Sequence, residues 1–180
     1  MSLRLASPAD AAAIQAIYAP VVTDTPISFE LEPPSVQEMA GRIERTLATF
    51  PWIVELDDAG RVHGYVYASR FRERPAYQWS VEVTAYVRAD ARGRGVGRRL
   101  YGVLLDELRA LGYCEAFAAI TLPNAASVAL HELCGFRSAG LYRNAGFKLG
   151  RWHDVGTWQR TLQHPDPPAP PRRFAGRIGG

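Results

Sequence analysis

Residues 92–97 read Arg-Gly-Arg-Gly-Val-Gly, and this stretch decides the fold. It follows an apolar run, Val81–Val87, that is typical of a strand, and it precedes a helical pattern of leucines that Gly112 ends. Glycines lack a Cβ and let backbone N–H groups approach an anion, and a helix start adds unpaired N–H groups and a positive dipole end. The pattern predicts a phosphate site between a strand and a helix, although a surface turn with solvated arginines would read the same.

The kind of phosphate follows from what the stretch lacks. It has neither the lysine nor the hydroxyl of a P-loop, and it is too short for a dinucleotide fingerprint. A pyrophosphate that needs no magnesium fits best, and coenzyme A carries one. His63, His153 and His164 have no ligand spacing with any acid or cysteine, so we predict no metal.

The composition is that of one ordinary globular domain. Its 180 residues are 47% hydrophobic and 22% charged, enough to bury a core. The formal net charge is +3, and the last sixteen residues carry +2 of it, from three arginines against Asp166. Residues 1–164 are therefore nearly neutral, and they lack the broad basic face that binds nucleic acid.

The chain has two cysteines, Cys114 and Cys134, set among apolar neighbours without C-x-x-C spacing. Reduced, buried thiols are the expected state. No charged amino-terminal region precedes an apolar run, and no stretch approaches the roughly eighteen apolar residues that a membrane span needs. We therefore expect a cytoplasmic protein with no membrane partner.

Hydrophobic periodicity predicts seven strands and four helices. The predicted strands are Leu3–Leu5, Trp52–Leu56, Val62–Phe71, Tyr77–Val87, Glu115–Leu122, Arg137–Leu141 and His153–Leu162. The predicted helices follow Ser7 until Pro20 breaks the pattern, follow the capping box that opens at Ser35, follow the glycine-rich stretch, and run from Asn124 to Cys134. The order predicts an α+β domain, residues 1–164, with a mixed sheet and helices on both faces. The proline-, arginine- and glycine-rich tail, residues 165–180, is expected to be disordered.

The stretch at 92–97 fits the acetyl-CoA loop Q/R-x-x-G-x-G/A of the GNAT acetyltransferase superfamily, which the chain resembles. Residues 124–136, with Asn124, Ser127, His131 and Gly135, look like the next helix-and-strand block of that superfamily. Further segments resemble the branch of phosphinothricin, methionine sulfoximine and arsinothricin N-acetyltransferases. These are Ser28-Phe29 with Glu32-Pro33, Pro51-Trp52, Arg74 with Ala76-Tyr77, Val81-Glu82, Leu122-Pro123-Asn124, Ala145-Gly146-Phe147-Lys148 and Trp152-His153-Asp154-Val155-Gly156.

The resemblance covers about residues 3–162 and implies a GNAT-type fold. It implies an acetyl-CoA-dependent N-acetyltransferase that modifies the α-amine of a small glutamate- or methionine-like acid. We expect direct attack by the amine, because no cysteine or serine is placed as an acyl carrier. The branch is usually dimeric, which implies a homodimer. A GNAT enzyme acting on a protein N-terminus, polyamine or aminoglycoside, or a non-catalytic acyl-CoA-binding module, remains an alternative.

Two side chains are candidates for acid–base chemistry. Glu82 faces opposite to its valine neighbours by strand alternation, and family members place their proposed base at this glutamate. A strand glutamate that merely faces solvent is the alternative. His131 stands where most of the superfamily has a tyrosine acting as acid toward the coenzyme A sulfur. The branch has histidine there, which could give or take a proton, or be an ordinary core histidine.

The remaining site assignments combine the residue patterns with the resemblance. A bulge in the strand at Ala85, Tyr86 and Val87 is expected to aim a backbone N–H at the thioester oxygen. The pyrophosphate is assigned to Arg92, Gly93, Arg94, Gly95, Val96, Gly97 and Arg98, and the pantetheine arm to Asn124 and Ser127. Acceptor binding is assigned to Arg72 and Arg74 as an anion fork, because alternate residues of an extended segment share a face; a solvated hairpin turn is the alternative for Arg72. Phe29 is assigned as a wall of the pocket, with an ordinary core aromatic as the alternative. Tyr77 is assigned to the same site, with packing or a subunit interface as the alternative.

Overall fold

A computed structural model describes residues 1–176 of the chain. The strands are β1 (Ser2–Leu5), β2 (Trp52–Leu56), β3 (Val62–Arg70), β4 (Ser80–Val87), β5 (Glu115–Leu122), β6 (Arg137–Lys148) and β7 (Arg151–Thr161). The helices are α1 (Ala11–Asp24), α2 (Val36–Leu47), α3 (Val96–Leu111) and α4 (Ala125–Leu133). The strands form a single sheet in the order β1-β2-β3-β4-β5-β7-β6. The predicted mixed sheet of seven strands is therefore confirmed.

Helices cover both faces of the sheet. On one face, α3 buries its leucine stripe against Val66, Val81 and Val83. On the other face, α1 and α2 pack against the alternate side chains, among them Trp52 and Tyr65. Because successive strand residues point to opposite faces, the two cores share the same strands.

The first helix continues through the proline that was expected to break it. α1 runs from Ala11 to Asp24 with Pro20 inside it. Proline removes one backbone hydrogen bond and crowds the preceding turn. Tyr18, Val21 and Val22 are buried on either side of Pro20, so tertiary packing holds the helix together across it.

Two predicted strand boundaries also differ. β4 begins at Ser80 rather than Tyr77, because a single 3₁₀ turn occupies residues 75–77 after Arg74. The last hairpin is much longer than predicted, since β6 reaches Lys148 and leaves only a two-residue turn before β7. Its register shifts between Tyr142 and Gly146, which interrupts the alternation that periodicity detects.

One parallel pair sets up the site. All neighbouring strands are antiparallel except β4 and β5, which pair only from Ser80–Glu115 to Glu82–Phe117. Beyond Glu82 the two strands diverge, while β4 stays paired with β3 up to Val87. The sheet therefore opens into a fork between β4 and β5, just before the glycine-rich stretch.

The structure places the first part of the tail on the domain instead of leaving it unpacked. The Arg172 N–H donates to the Leu111 carbonyl (2.7 Å), and the Trp79 indole donates to the Ala169 carbonyl (2.8 Å). Phe174 enters the core against α3 and is only 5% exposed. A single aromatic anchor within a polar segment is invisible to composition. The last four residues, 177–180, lie outside the described part.

Candidate active site

The fork between β4 and β5 encloses a small cavity. Side chains from both faces of the sheet line it, together with residues of α3 and α4. The predicted site residues it brings together are Ala85, Tyr86, Asn124, Ser127 and His131. Strands β4 and β5, helices α3 and α4 and the loop residue Ile27 thus converge where the sheet is split.

Backbone donors of β4 face this fork. The carbonyl of Trp79, just before β4, accepts from the N–H of Cys114, just before β5 (2.8 Å). Backbone groups on alternate residues of a strand share one side, so the N–H groups of Ala85 and Val87 point into the gap. The β3–β4 register is unbroken over the whole of β4. The predicted bulge is therefore wrong, and the donors are freed by the divergence of the strands instead.

The glycine-rich stretch lies at the mouth of the fork. Gly93 and Gly95 adopt φ values of 73° and 77°, which ordinary side chains rarely adopt. The first backbone bond of α3 joins the Arg99 N–H to the Gly95 carbonyl (3.1 Å), so the N–H groups of residues 96–98 have no carbonyl one turn back. This arrangement suits an anion.

Two of the residues assigned to the pyrophosphate, Val96 and Gly97, contribute to packing. Val96 is buried in the core. A Cβ on Gly97 would lie 2.7 Å from Leu130 Cδ2, so this glycine lets α4 approach α3 closely. Arg92, Arg94 and Arg98 are exposed, and Arg92 Nε donates to the Val87 carbonyl at 3.3 Å, while Arg98 lines a separate cavity beside Cys134.

A buried carboxylate, that of Glu55, holds the glycine-rich stretch in place through Arg99. Glu55 on β2 is 1% exposed and accepts two hydrogen bonds from Arg99, at 2.9 and 2.8 Å. The third nitrogen of Arg99 donates to the Arg94 carbonyl at 2.9 Å. Sequence reasoning missed this pair, because two residues 44 positions apart carry no local signal.

Glu82 lies on the face of β4 opposite to Val81 and Val83, as alternation predicts, and is half-buried. Burial raises the pKa of Glu82 above its usual value, and the positive charge of Arg72 partly offsets the effect. Phe117 is its partner on β5 and stacks on Phe71 with ring centroids 4.1 Å apart. The carboxylate thus sits beside an aromatic wall and one arginine.

His131 is buried, and both of its ring nitrogens are engaged. Its Nδ1 lies 2.7 Å from the Ser127 carbonyl, which only accepts, so Nδ1 carries the proton. Its Nε2 then accepts from the Tyr101 hydroxyl at 2.8 Å. Burial lowers the pKa of His131. Tyr101 was not predicted, because it falls within the leucine stripe of α3 and looks like core.

The predicted acceptor residues occupy two separate segments. Arg72 and Arg74 are both exposed in the β3–β4 connection, where Arg72 lies over the Phe71 ring at 5.1 Å. Tyr77 meets the Phe71 ring edge-on, with centroids 5.7 Å apart, which gives it a packing role. Phe29 lies on the loop after α1 and is part of a different cluster with His153.

Asn124 and Ser127, at the start of α4, lie close together, and each already makes contacts within the protein. The Asn124 side-chain oxygen accepts from the Ser127 N–H at 3.1 Å, which caps α4. The Ser127 hydroxyl lies 3.4 Å from His131 Nδ1. The amide NH₂ of Asn124 and the Ser127 hydroxyl remain the groups that can meet a bound arm in the fork.

A second cavity, of about 200 Å³, lies between α1, α2 and the sheet. Tyr18, Tyr65, Tyr67 and Tyr86 line it, with Glu30 and Arg42 at one side. Arg42 donates twice to Glu30, at 2.6 and 3.1 Å, and holds the Glu30 pKa below its usual value. Nothing in the local sequence pattern predicts this polar group.

Two further observations concern residues 1–176 only. In this part of the chain, no three acidic, histidine or cysteine side chains gather in a way that could hold a metal ion. Over the same residues, none of the helices has the length and apolar character to cross a bilayer.

Comparison with known proteins gives consistent matches. The sequence profile of a family described as acetyltransferase (GNAT) domain matches residues 3–157. The phosphinothricin N-acetyltransferase of Streptomyces viridochromogenes is 40% identical over 172 residues, covering 96% of this chain and 93% of that protein. The L-methionine sulfoximine/L-methionine sulfone acetyltransferase of Pseudomonas aeruginosa is 35% identical, covering 89% and 94%.

A solved structure matches equally well. The phosphinothricin acetyltransferase of Sinorhizobium meliloti, crystallised in complex with acetyl-CoA, superimposes with a TM-score of 0.89 at 37% identity. The match covers 98% of this chain and 97% of that one. The resemblance predicted from the glycine-rich stretch and the block after it is confirmed.

Proposed function

The chain belongs to the GNAT acetyltransferase family, and we propose that it moves an acetyl group from acetyl-CoA to the α-amine of a small amino-acid-like acid. Phosphinothricin and methionine sulfoximine, after which the relatives are named, are the acceptors we propose. The observation that carries the proposal is Glu82, a half-buried carboxylate of raised pKa on the strand that borders the fork.

The fork and its loop suit acetyl-CoA in shape and charge. The bare turn at Gly93 and Gly95 and the first N–H groups of α3 fit a pyrophosphate. The inward N–H groups of Ala85 and Val87 fit an extended arm and a thioester oxygen. When bound, acetyl-CoA supplies an acyl thioester that a free amine can attack.

Glu82 is the group to which we assign proton removal. An amino acid's ammonium must lose a proton before its nitrogen can attack, and a carboxylate of raised pKa is a better base than an ordinary one. Proton transfer runs to a Glu82 carboxylate oxygen, directly or through one water. Return of a proton to the leaving sulfur needs no strong acid, because a thiol has a pKa of about 8.5.

Direct attack is supported by the state of the cysteines. Burial raises the pKa of both Cys114 and Cys134, which keeps them as thiols rather than nucleophilic thiolates. Both are unpaired in the structure, as expected of a reducing compartment such as the cytoplasm, where we place the reaction.

We assign the acceptor's acidic group to Arg72 and Arg74. Arg72 is close enough to Glu82 to lower the pKa of that carboxyl against the effect of burial. A guanidinium offers two parallel N–H donors to a carboxylate or phosphinate. An acid held here has its amine near the carboxylate of Glu82.

We propose that the protein is a homodimer built on the last hairpin. β6 ends the sheet, and an exposed edge strand invites pairing. Large apolar side chains on β6, β7 and their turn are about half exposed or more, namely Leu141, Tyr142, Phe147, Leu149 and Trp152. Sedimentation velocity should give a dimer for wild type and a monomer for Trp152→Glu. A wild-type monomer at micromolar concentration would remove the proposal.

The activity is tested by release of coenzyme A thiol over a panel of acceptors. We expect turnover of phosphinothricin, methionine sulfoximine and methionine sulfone. We expect none of a polyamine, an aminoglycoside or a peptide with an N-terminal alanine. Turnover confined to the second group would contradict the proposed acceptor class.

The proposed binding of the acceptor's acid group by Arg74 is tested with the Arg74→Gln variant. The methyl ester of methionine sulfoximine, in which that acid is masked, is the control substrate. The substitution should raise KM for methionine sulfoximine about tenfold, corresponding to about 1.4 kcal/mol, and leave KM for its methyl ester nearly unchanged. Arg109→Gln, at the far end of α3, is the charge-matched control. Equal effects on acid and ester would reject the assignment.

A further inference from the structure

The chain contains one lysine among its 21 basic residues, and the fold buries it. Lys148 is the last residue of β6 and is 5% exposed. A buried lysine is costly unless its ammonium is hydrogen-bonded. Nothing in the proposed reaction uses it, so its position calls for a separate reason.

The ammonium joins two parts of the chain more than a hundred residues away. Lys148 Nζ donates to the Val22 carbonyl at 2.5 Å and to the Ser28 carbonyl at 2.6 Å. The first carbonyl belongs to the last turns of α1, and the second to residues 25–34, here called the acceptor loop. A compact ammonium fits between two converging carbonyls, whereas a planar guanidinium would not. This difference accounts for lysine rather than arginine at position 148.

The same hairpin forms a seat for the Phe29 ring. A Cβ on Gly146 would lie 2.3 Å from Phe29 Cε2, so only glycine fits under the ring. The buried His153 ring stands 6.3 Å from the Phe29 ring, and its Nε2 donates to the Lys148 carbonyl at 3.0 Å. Two motifs that the reaction left unexplained, Ala145–Lys148 and Trp152–Gly156, therefore meet under the acceptor loop.

The loop is tied to the site from its other side. The Tyr18 hydroxyl bonds to Ser28 Oγ at 2.7 Å and donates to Glu30 Oε1 at 2.9 Å. The Thr121 hydroxyl, which lines the fork cavity, donates to the Ile27 carbonyl at 3.3 Å. A shift of the acceptor loop would therefore disturb Thr121 and the lining of the fork cavity.

We propose that Lys148 is a positioning residue that fixes the acceptor loop, and with it Phe29, beside the site where the amine is acetylated. The inference rests on the proposed function and adds a determinant of acceptor selectivity from outside the pocket. It assigns no role in acetyl-CoA binding to this lysine.

The kinetic test replaces Lys148 by methionine, which keeps the unbranched shape and removes the donors. Lys148→Met should raise KM for methionine sulfoximine about tenfold and leave KM for acetyl-CoA within about twofold. Arg151→Met is the matched control, because it removes a positive charge from the register partner on the same hairpin. An unchanged acceptor KM in Lys148→Met, with an active wild type, overturns the proposal.

A second test uses the intact protein and does not depend on the variant folding. Wild type grown with ¹³C-labelled lysine has one lysine side chain to observe by NMR. Saturating methionine sulfoximine should displace its ε-carbon signal. No displacement at an acceptor concentration that supports full turnover overturns the positioning role. A wild type that acetylates no amino-acid acceptor contradicts the proposed function instead.

Discussion

At the scale of single residues, the proposed reaction depends on where Glu82 is placed. Strand alternation turns its carboxylate away from the core that holds Val81 and Val83. Desolvation then raises its pKa, and the folded protein holds its proton more tightly than the unfolded chain does. A group of this kind favours function at the expense of stability.

Glu82→Gln removes the proposed base and should lower kcat/KM about a hundredfold or more. Acetyl-CoA affinity, measured by calorimetry, should stay within about twofold. The folded-state pKa of Glu82 lies above its unfolded value, so the ionised form destabilises the fold at neutral pH. The variant should therefore melt no lower than wild type. A lower melting temperature with unchanged turnover would contradict both assignments.

The pH profile of kcat/KM follows from the same shift. Activity requires the ionised carboxylate and should decline as pH falls through the Glu82 pKa. Because burial raises that pKa, the decline should begin at higher pH than for an exposed glutamate. The acid limb should disappear from the residual activity of Glu82→Gln. A limb that persists in the variant would mean that another group is titrating.

The Tyr101–His131 pair has a different prediction. Tyr101→Phe leaves His131 Nε2 buried without its donor and should cost about 1–3 kcal/mol of unfolding free energy. His131 stays neutral at neutral pH because burial lowers its pKa. We therefore expect the kcat of Tyr101→Phe to fall less than tenfold. Denaturation measures the loss of unfolding free energy, and steady-state kinetics measures kcat. A stable variant without turnover would show that the pair moves a proton.

At the scale of elements, the loop at 92–97 shows what backbone geometry contributes. Gly93 has a φ of 73° and open space around its Cα, so an added Cβ strains the backbone without any clash. Gly93→Ala should lower the free energy of unfolding by about 1–2 kcal/mol and raise KM for acetyl-CoA about tenfold. Gly102→Ala, inside α3 with equally open space, should stabilise by about 0.5–1 kcal/mol and leave KM unchanged. Equal behaviour of the two variants would count against the phosphate role.

Local features of this chain could be predicted from its sequence. The glycine turn, the helix after it and the outward face of Glu82 follow from periodicity and from the conformational needs of glycine. The fork could not be predicted, because it depends on where pairing between β4 and β5 stops. Glu55 with Arg99, Tyr101 with His131, and Lys148 with the acceptor loop were missed for a common reason. Each joins distant residues, and no spacing rule records such a contact.

At the scale of the whole molecule, the tail bears on stability. Phe174 buries its ring against α3, beyond the last strand of the fold. Phe174→Ala should cost about 3 kcal/mol and lower the melting temperature by several degrees. Activity at low temperature should be retained, because the ring lies in the core and not at the fork. An unchanged melting temperature would mean that this segment does not pack in solution.

In the whole molecule, we propose, the fork binds acetyl-CoA while Glu82 removes a proton from the amine of an acidic acceptor. The most direct measurement incubates the protein with acetyl-CoA carrying a ¹³C-labelled acetyl group and with methionine sulfoximine, and follows the acceptor by mass spectrometry. We expect label on the acceptor's α-amine with wild type, and its near absence with Glu82→Gln despite undiminished acetyl-CoA binding. Equal labelling by both proteins, or none by wild type with acetyl-CoA bound, would contradict it.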